Sequence, residues 1–175
     1  MAKNVNYIRI GQSDVTFNSV DLGHTKGGVA IKYDPNYAEL NVDQYGKTNV
    51  DLALVEEKFT VKTQLAEITG ANWAVAIPNG TYSSGTAPIG KVLGGANAGG
   101  LVSQYAHTLV LHPSKNASSD TGEDVTVFKA VVTEAVDVPY KVDAQRVLEV
   151  TFTALIDESQ PAGSRLFRIG PANVS

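Results

Sequence analysis

Residues 38–67, AELNVDQYGKTNVDLALVEEKFTVKTQLAE, decide the fold of this chain. Apolar and polar residues alternate around Leu40 and Val42, which predicts a short strand. Gly46 lies in the turn that follows, where a tight reversal needs the positive φ that glycine takes without strain. Alternation then resumes, which predicts a returning strand through Val50, Leu52, Leu54, Phe59, Val61, Thr63 and Leu65. We therefore predict a long hairpin arm over residues 43–57 that projects from a β-rich body.

The rest of the sequence predicts short strands joined by turns. Asp34-Pro35-Asn36 is a strong turn signal and predicts the end of a strand over 29–33. Residues 64–77 predict the one convincing helix, with Thr63 as N-cap, Pro78 as its stop and Trp73 facing the core. The glycine-rich residues 79–103 predict a long permissive loop. Further strands are predicted over 15–20, 104–112, 124–135 and 146–157, with shorter candidates at 7–10 and 166–169.

These elements predict one mainly β domain over residues 1–175: a β-sandwich or barrel of about seven to nine strands with one packed α-helix and the projecting arm. The chain has 175 residues, 43% of them hydrophobic and 18% charged, which is typical of a globular protein with its own core. The N-terminal residues lack the apolar segment of a signal peptide, and no apolar run is long enough for a membrane helix. We therefore expect a cytoplasmic product with no membrane partner.

Catalytic and cofactor chemistry finds little support in the sequence. The chain has no cysteine, which excludes a disulfide framework and a thiolate site. Residues 85–91 fit G-x-x-x-x-G-K, but Val92 stands where a phosphate loop needs a hydroxyl. His107 and His112 are five residues apart on a predicted strand, which places them on opposite faces. Glu56-Glu57 and Glu123-Asp124 are interpreted as solvated turn charges. We predict no enzyme, no catalytic or metal residue, no cofactor and no small-molecule substrate.

Three segments resemble a known family. They are Leu22-Gly23-His24-Thr25-Lys26-Gly27-Gly28-Val29, Asn41-Val42-Asp43-Gln44-Tyr45-Gly46 and Val61-Lys62-Thr63-Gln64-Leu65-Ala66-Glu67. Their order and spacing are similar to those of the major tail protein, the tail tube subunit of long-tailed bacteriophages. The resemblance covers roughly residues 20–80, and the glycine-rich segment 79–103 has no counterpart in it.

The resemblance implies a structural virion protein that assembles as stacked, hexameric rings into a tail tube, the conduit for DNA ejection. Its partners would be further copies of itself and other tail proteins: a tip or initiator complex, a length-setting protein and a terminator. DNA would pass through the lumen without specific binding, and the formal net charge of −4 fits repulsion of phosphates. The expected location is the virion tail, with assembly in the host cytoplasm. The residues expected at the subunit interface are Asp43, Gln44, Tyr45, Gly46, Val50, Leu52, Leu54, Glu56 and Glu57.

Two alternatives remain open at this point. A β-sandwich module that binds carbohydrate or a receptor would use exposed aromatic residues, for which Tyr33, Tyr37, Tyr45, Tyr82 and Tyr105 are candidates. An enzyme on a jelly-roll scaffold would need a metal or an acid–base pair that the sequence does not mark. If the arm assembles subunits, unpaired strand edges would be a liability in the monomer, so we expect residues 44–55 to be mobile until a neighbour orders them.

Overall fold

The computed structural model describes residues 8–85, 90–95 and 98–172. This part of the chain contains one α-helix, α1 (Gly70–Ala76), and two 3-10 turns, Asp43–Tyr45 and Val102–Tyr105. Within it no helix is long and apolar enough to cross a membrane. The strands are β1 (Ser13–Phe17), β2 (Val20–Asp21), β3 (Thr25–Asn41), β4 (Asn49–Leu65), β5 (Thr81–Ser83), β6 (Lys91–Leu93), β7 (His107–Pro113), β8 (Val125–Val132), β9 (Leu148–Leu155) and β10 (Phe167–Ile169).

The mainly β prediction is confirmed, since eight strands form a single antiparallel sheet in the order β2-β1-β7-β8-β9-β4-β3, with β10 beside β8. The sheet curls until Cα atoms of β1 and β3 lie within 8 Å of each other. No hydrogen-bonded ladder joins these two strands in the described residues, so of the predicted sandwich or barrel the sheet does not form a closed barrel. Gly27 and Gly28 both have positive φ and form a bulge in the ladder of β3 with β4.

The core consists mainly of side chains from β1, β4, β7, β8 and β9 and follows the predicted alternation. Leu148, Val150 and Phe152 on β9 are fully buried, as predicted, whereas Ile156 lies beyond the strand end and is exposed. Near the start of the arm, Phe59 stacks on Phe167 with ring centroids 4.1 Å apart. The remaining fully buried large side chains are Val15, Leu22, Val61, Leu65, Leu109, Val127 and Val131.

The predicted helix over 64–77 is too long at its N-terminal end. Residues 60–65 of β4 pair with β9, so strand hydrogen bonds and the burial of Thr63 and Leu65 outweigh the helical pattern there. Helix α1 starts only after Thr69, whose Oγ1 accepts a hydrogen bond from the Asn72 N–H at 3.1 Å and caps the helix. Trp73 is half-buried against the core, in the orientation predicted.

The predicted turn at 34–36 is also wrong, because β3 runs straight through it. Pro35 lies opposite Glu57, and a bulge follows between Asn36 and Tyr37. Proline is tolerated here because β3 is an edge strand with only β4 beside it.

The predicted loop 79–103 contains the small β5–β6 hairpin, although residues 86–89 and 96–97 lie outside the described residues. Residues 8–10 form no strand, and residue 7 of that candidate is not described.

Candidate assembly surface on the arm

The β3–β4 ribbon extends well beyond the sheet, and we call residues 34–58 the arm. Strand β4 pairs with β9 only over residues 60–65, whereas its pairing with β3 continues to Asn41 opposite Asn49. The arm therefore has two strands and no third neighbour among the described residues. At about 3.4 Å per residue, its strands reach roughly 25 Å past Tyr33. It includes all of the predicted arm, residues 43–57.

The tip of the arm is a 3-10 turn with the predicted glycine geometry. The Tyr45 N–H donates to the Val42 carbonyl at 3.0 Å, and the Gly46 N–H donates to the Asp43 carbonyl at 3.3 Å. Gly46 has φ of 65° and ψ of −127°, which confirms the positive φ predicted from the sequence. Gln44 lies in the same turn, and the Tyr45 side chain is exposed.

Apolar side chains cover both faces of the arm. Tyr37 lies opposite Leu54 and Glu39 opposite Leu52, so these four share one face. Val50 lies at the bulge between the last two residue pairs of the ladder. On the other face Leu40 is opposite Asp51 and Ala38 is opposite Ala53. The predicted Val50, Leu52 and Leu54 are each about half exposed, at 49%, 52% and 49%.

The base of the arm joins the body through a polar contact and a groove. The Tyr33 hydroxyl donates to Glu57 Oε1 at 2.7 Å, and this hydrogen bond raises the pKa of Tyr33. Glu56 lies opposite Asn36 on the other face. The earlier interpretation of Glu56-Glu57 as turn charges is wrong, because both lie within β4. A groove of about 610 Å³ opens here, and its lining includes Tyr33, Leu54, Val55, Ile156 and Phe167.

Two of the segments that carry the family resemblance meet beside helix α1. The Ala66 N–H donates to the His24 carbonyl at 2.8 Å, and Glu67 Oε1 lies 2.9 Å from the His24 N–H and 2.5 Å from its Nδ1. This pair raises the pKa of His24 and lowers that of Glu67. Gly23 has φ of +77°, and a Cβ there would lie 2.6 Å from the Glu67 carboxylate. The arrangement fixes the entry to β3, and the pair borders an open pocket of about 450 Å³.

A second histidine–carboxylate pair escaped sequence reasoning. His112 Nδ1 lies 2.6 Å from Asp124 Oδ1, and this hydrogen bond raises the pKa of His112. Asp124 is buried, so its interpretation as a solvated turn charge is wrong. Nearby, the Ser114 hydroxyl donates to Asp14 Oδ1 at 2.6 Å instead of to the histidine. The only sequence signal for the pair was the hairpin loop 114–123, which brings its two flanks together.

The remaining site candidates are scattered. Of the tyrosines considered for glycan stacking, Tyr33, Tyr37 and Tyr45 lie on or beside the arm, whereas Tyr82 and Tyr105 line a separate cleft beside α1. Within residues 8–85, 90–95 and 98–172, no group of three or more His, Cys, Asp or Glu side chains is placed to hold a metal ion. Comparison with models of known protein families gives no match, and no curated protein matches the sequence.

Proposed function

We propose that this chain is a structural subunit that assembles through its arm into stacked, hexameric rings, forming the tail tube of a long-tailed bacteriophage. The observation that carries the proposal is the arm itself: a two-stranded ribbon with half-exposed apolar side chains on both faces. Isolated two-stranded hairpins are marginally stable in water, and contiguous exposed apolar surface marks interaction sites. A neighbouring copy that covers the arm resolves both features.

Covering the arm would supply part of the free energy of assembly. Completing the burial of a half-exposed Leu, Val or Tyr side chain is worth about 1 kcal/mol. Tyr37, Leu40, Val50, Leu52 and Leu54 are each between 46% and 52% exposed. Together they supply several kcal/mol per arm before the entropic cost of association is subtracted. Because every subunit both extends an arm and receives one, a ring multiplies this modest gain.

The open sheet fits the same proposal. Strands β2 and β3 end the sheet, and each has an edge with no partner strand in the described residues. We propose that neighbouring subunits supply these partners, so that the sandwich or barrel expected from the sequence is completed by the ring and not within one chain. The net charge of −4 would let DNA slide through a lumen without sticking. Tip, length-setting and terminator proteins of the tail would be the further partners.

Negative-stain electron microscopy over a concentration series, with light scattering alongside, tests the proposal. We expect rings or hollow tubes from the intact chain and none after deletion of residues 44–55. L52S/L54S should also reduce assembly strongly, whereas the control L93S/L101S, which removes exposed leucines away from the arm, should assemble normally. A monomer at every concentration that binds glycans would instead favour the carbohydrate-binding alternative.

A further inference from the structure

A basic cleft lies at the end of the β3–β4 ribbon opposite the arm tip. It encloses about 760 Å³ between the segment that precedes β1, the first part of β3, the end of β4 and the loop after β7. Four cationic side chains and one carboxylate line it, which contrasts with the acidic balance of the whole chain. They are Arg9, Lys26, Lys62, Lys115 and Glu123.

Two of the four cations are available for a new partner. Arg9 Nε lies 2.6 Å from Glu123 Oε1, and Lys62 is paired with Glu149. Lys26 and Lys115 form no ion pair or hydrogen bond within the described part of the chain. Ile10 also lines the cleft and is 83% exposed, so the surface is apolar as well as cationic.

The arm tip has the opposite character. Glu39, Asp43 and Asp51 surround the tip with Lys47 as the one cation between residues 39 and 51, so this stretch carries a net charge of −2. Exposed Leu40 and Tyr45 lie beside these carboxylates. The tip therefore offers acidic and apolar groups in a narrow ribbon, which complement the lysines and the isoleucine of the cleft.

The arm cannot reach the cleft of its own chain. From Val29, which lines the cleft, β3 stays paired with β4 up to Asn41, so tip and cleft are separated by about 40 Å of continuous ribbon. We propose that the basic cleft is the docking site for the arm tip of a second copy of this chain. The inference rests on the proposed function, to which it adds the receiving surface and the polarity of assembly. A tip that docks in the cleft of the next copy gives a head-to-tail contact, which extends without limit unless a ring closes.

The charges provide selectivity and the apolar groups provide most of the affinity. Exposed ion pairs contribute about 0–1 kcal/mol each and weaken as salt increases. A single substitution is therefore too small a change, and the test reverses charges in pairs. K26E/K115E should lose assembled particles, and so should E39K/D43K on the arm. Joined in one chain, the four substitutions restore opposite charges across the contact and should restore assembly.

The control K91E/K141E makes the same charge change at exposed lysines outside the cleft and the arm, and it should assemble like the unmodified protein. If K26E/K115E also assembles normally while deletion of residues 44–55 abolishes particles, the cleft is not the docking site, although the proposed function stands. If both pairs of substitutions block assembly and the combined variant does not restore it, the two charge sets do not face each other and the inference is overturned.

Disulfide cross-linking tests the polarity independently, because the chain contains no cysteine. Under oxidation D43C/K115C should give a ladder of cross-linked oligomers. Each single variant alone should give no cross-linked species. An equal mixture of D43C with K115C should give cross-linked dimers and nothing larger. Tubes in the microscope without a ladder would reject the inference alone. A dimer from either single variant would show like-to-like contacts and would also reject it. If no tubes and no ladder form under any condition, both the inference and the proposed function are rejected.

Discussion

The two halves of the β3–β4 ribbon share one alternating pattern but lie in different surroundings. In the body, β4 has β3 on one side and β9 on the other, and Val61 is 1% exposed. In the arm, β4 has only β3, and Leu52 is 52% exposed although it occupies the same kind of position in the pattern. Alternation in the sequence therefore predicts which side chains share a face of the ribbon. Whether that face is buried depends on a third strand and on the residues that cover it.

The largest expected difference between the halves is in amide exchange. Body amides open only with large-scale unfolding, which costs about 5 kcal/mol or more, whereas an uncovered two-stranded ribbon opens locally at little cost. In a proven monomer, we expect residues 44–55 to exchange at least about a thousandfold faster than residues 60–65. Hydrogen exchange followed by NMR or mass spectrometry measures this ratio.

Equal protection in the two segments would mean that the arm is rigid before assembly, contrary to the mobility expected from the sequence. The same experiment on assembled material provides the control. Protection should then appear over residues 44–55 while residues 60–65 change little.

The next largest effect is that of truncating one apolar side chain in each half. Phe59→Ala removes the ring that stacks on Phe167 and should lower the free energy of unfolding by about 3–5 kcal/mol. Leu52→Ala should change it by less than about 0.5 kcal/mol in the monomer, because the side chain is half exposed and does not belong to the core cluster. Urea denaturation of both variants measures the difference.

In particle formation, Leu52→Ala should show the larger loss and Phe59→Ala the smaller one. Leu52→Ala should weaken particle formation although its monomer remains as stable as the unmodified protein, and Phe59→Ala should retain assembly wherever it is still folded. A large loss of monomer stability in Leu52→Ala would show that the arm packs on its own body.

Much of this contrast was predictable, and the errors have physical causes. Periodicity predicted the strands of the body, the arm turn and the positive φ of Gly46, because side-chain alternation and glycine conformation are local properties. The turn expected at Asp34-Pro35-Asn36 failed because local turn propensity ignores that β3 is an edge strand, where proline costs no ladder bond. The helix was extended too far because β9, more than 80 residues away, pairs with residues 60–65.

The candidate surface was only partly predictable for the same reason. The arm residues follow from sequence, since they are contiguous. The basic cleft does not, because Arg9, Lys26, Lys62 and Lys115 come from four separate segments that meet only when the sheet curls. The pair of His112 with Asp124 likewise depends on the register of the β7–β8 hairpin.

Two glycines with positive φ allow a smaller test of the same contrast. Gly23→Ala adds a Cβ 2.6 Å from the Glu67 carboxylate at φ of +77° and should destabilise the body by about 1–3 kcal/mol. Gly46→Ala is also strained by its φ, but no atom lies within 4 Å of the added Cβ. If the arm opens independently, Gly46→Ala should leave body unfolding unchanged within about 0.5 kcal/mol. Thermal unfolding of the two variants compares them, and equal losses would show that arm and body unfold together.

The smallest expected effect concerns pH and is confined to the body. Because the hydrogen bond to Asp124 raises the pKa of His112 above 6.5, the native state holds a proton that the unfolded chain has released in the interval between the two values. The contribution of this pair to the free energy of unfolding should therefore be largest below pH 6.5 and fall as pH rises through that interval. The effect is limited because His112 Nε2 is buried without a hydrogen-bond partner in the described residues, so its proton gains nothing on that side.

His24 has a raised pKa for the same kind of reason and contributes a slope of the same sign, so the measurement is best made in a His24→Gln background. In that background, His112→Gln and Asp124→Asn should each reduce the pH dependence of the free energy of unfolding above pH 6.5. The double variant should show no further reduction. A slope that survives both substitutions would place the titrating group elsewhere. Exchange of residues 44–55 should stay insensitive to these substitutions, once intrinsic exchange is corrected for pH, because neither residue contacts the arm.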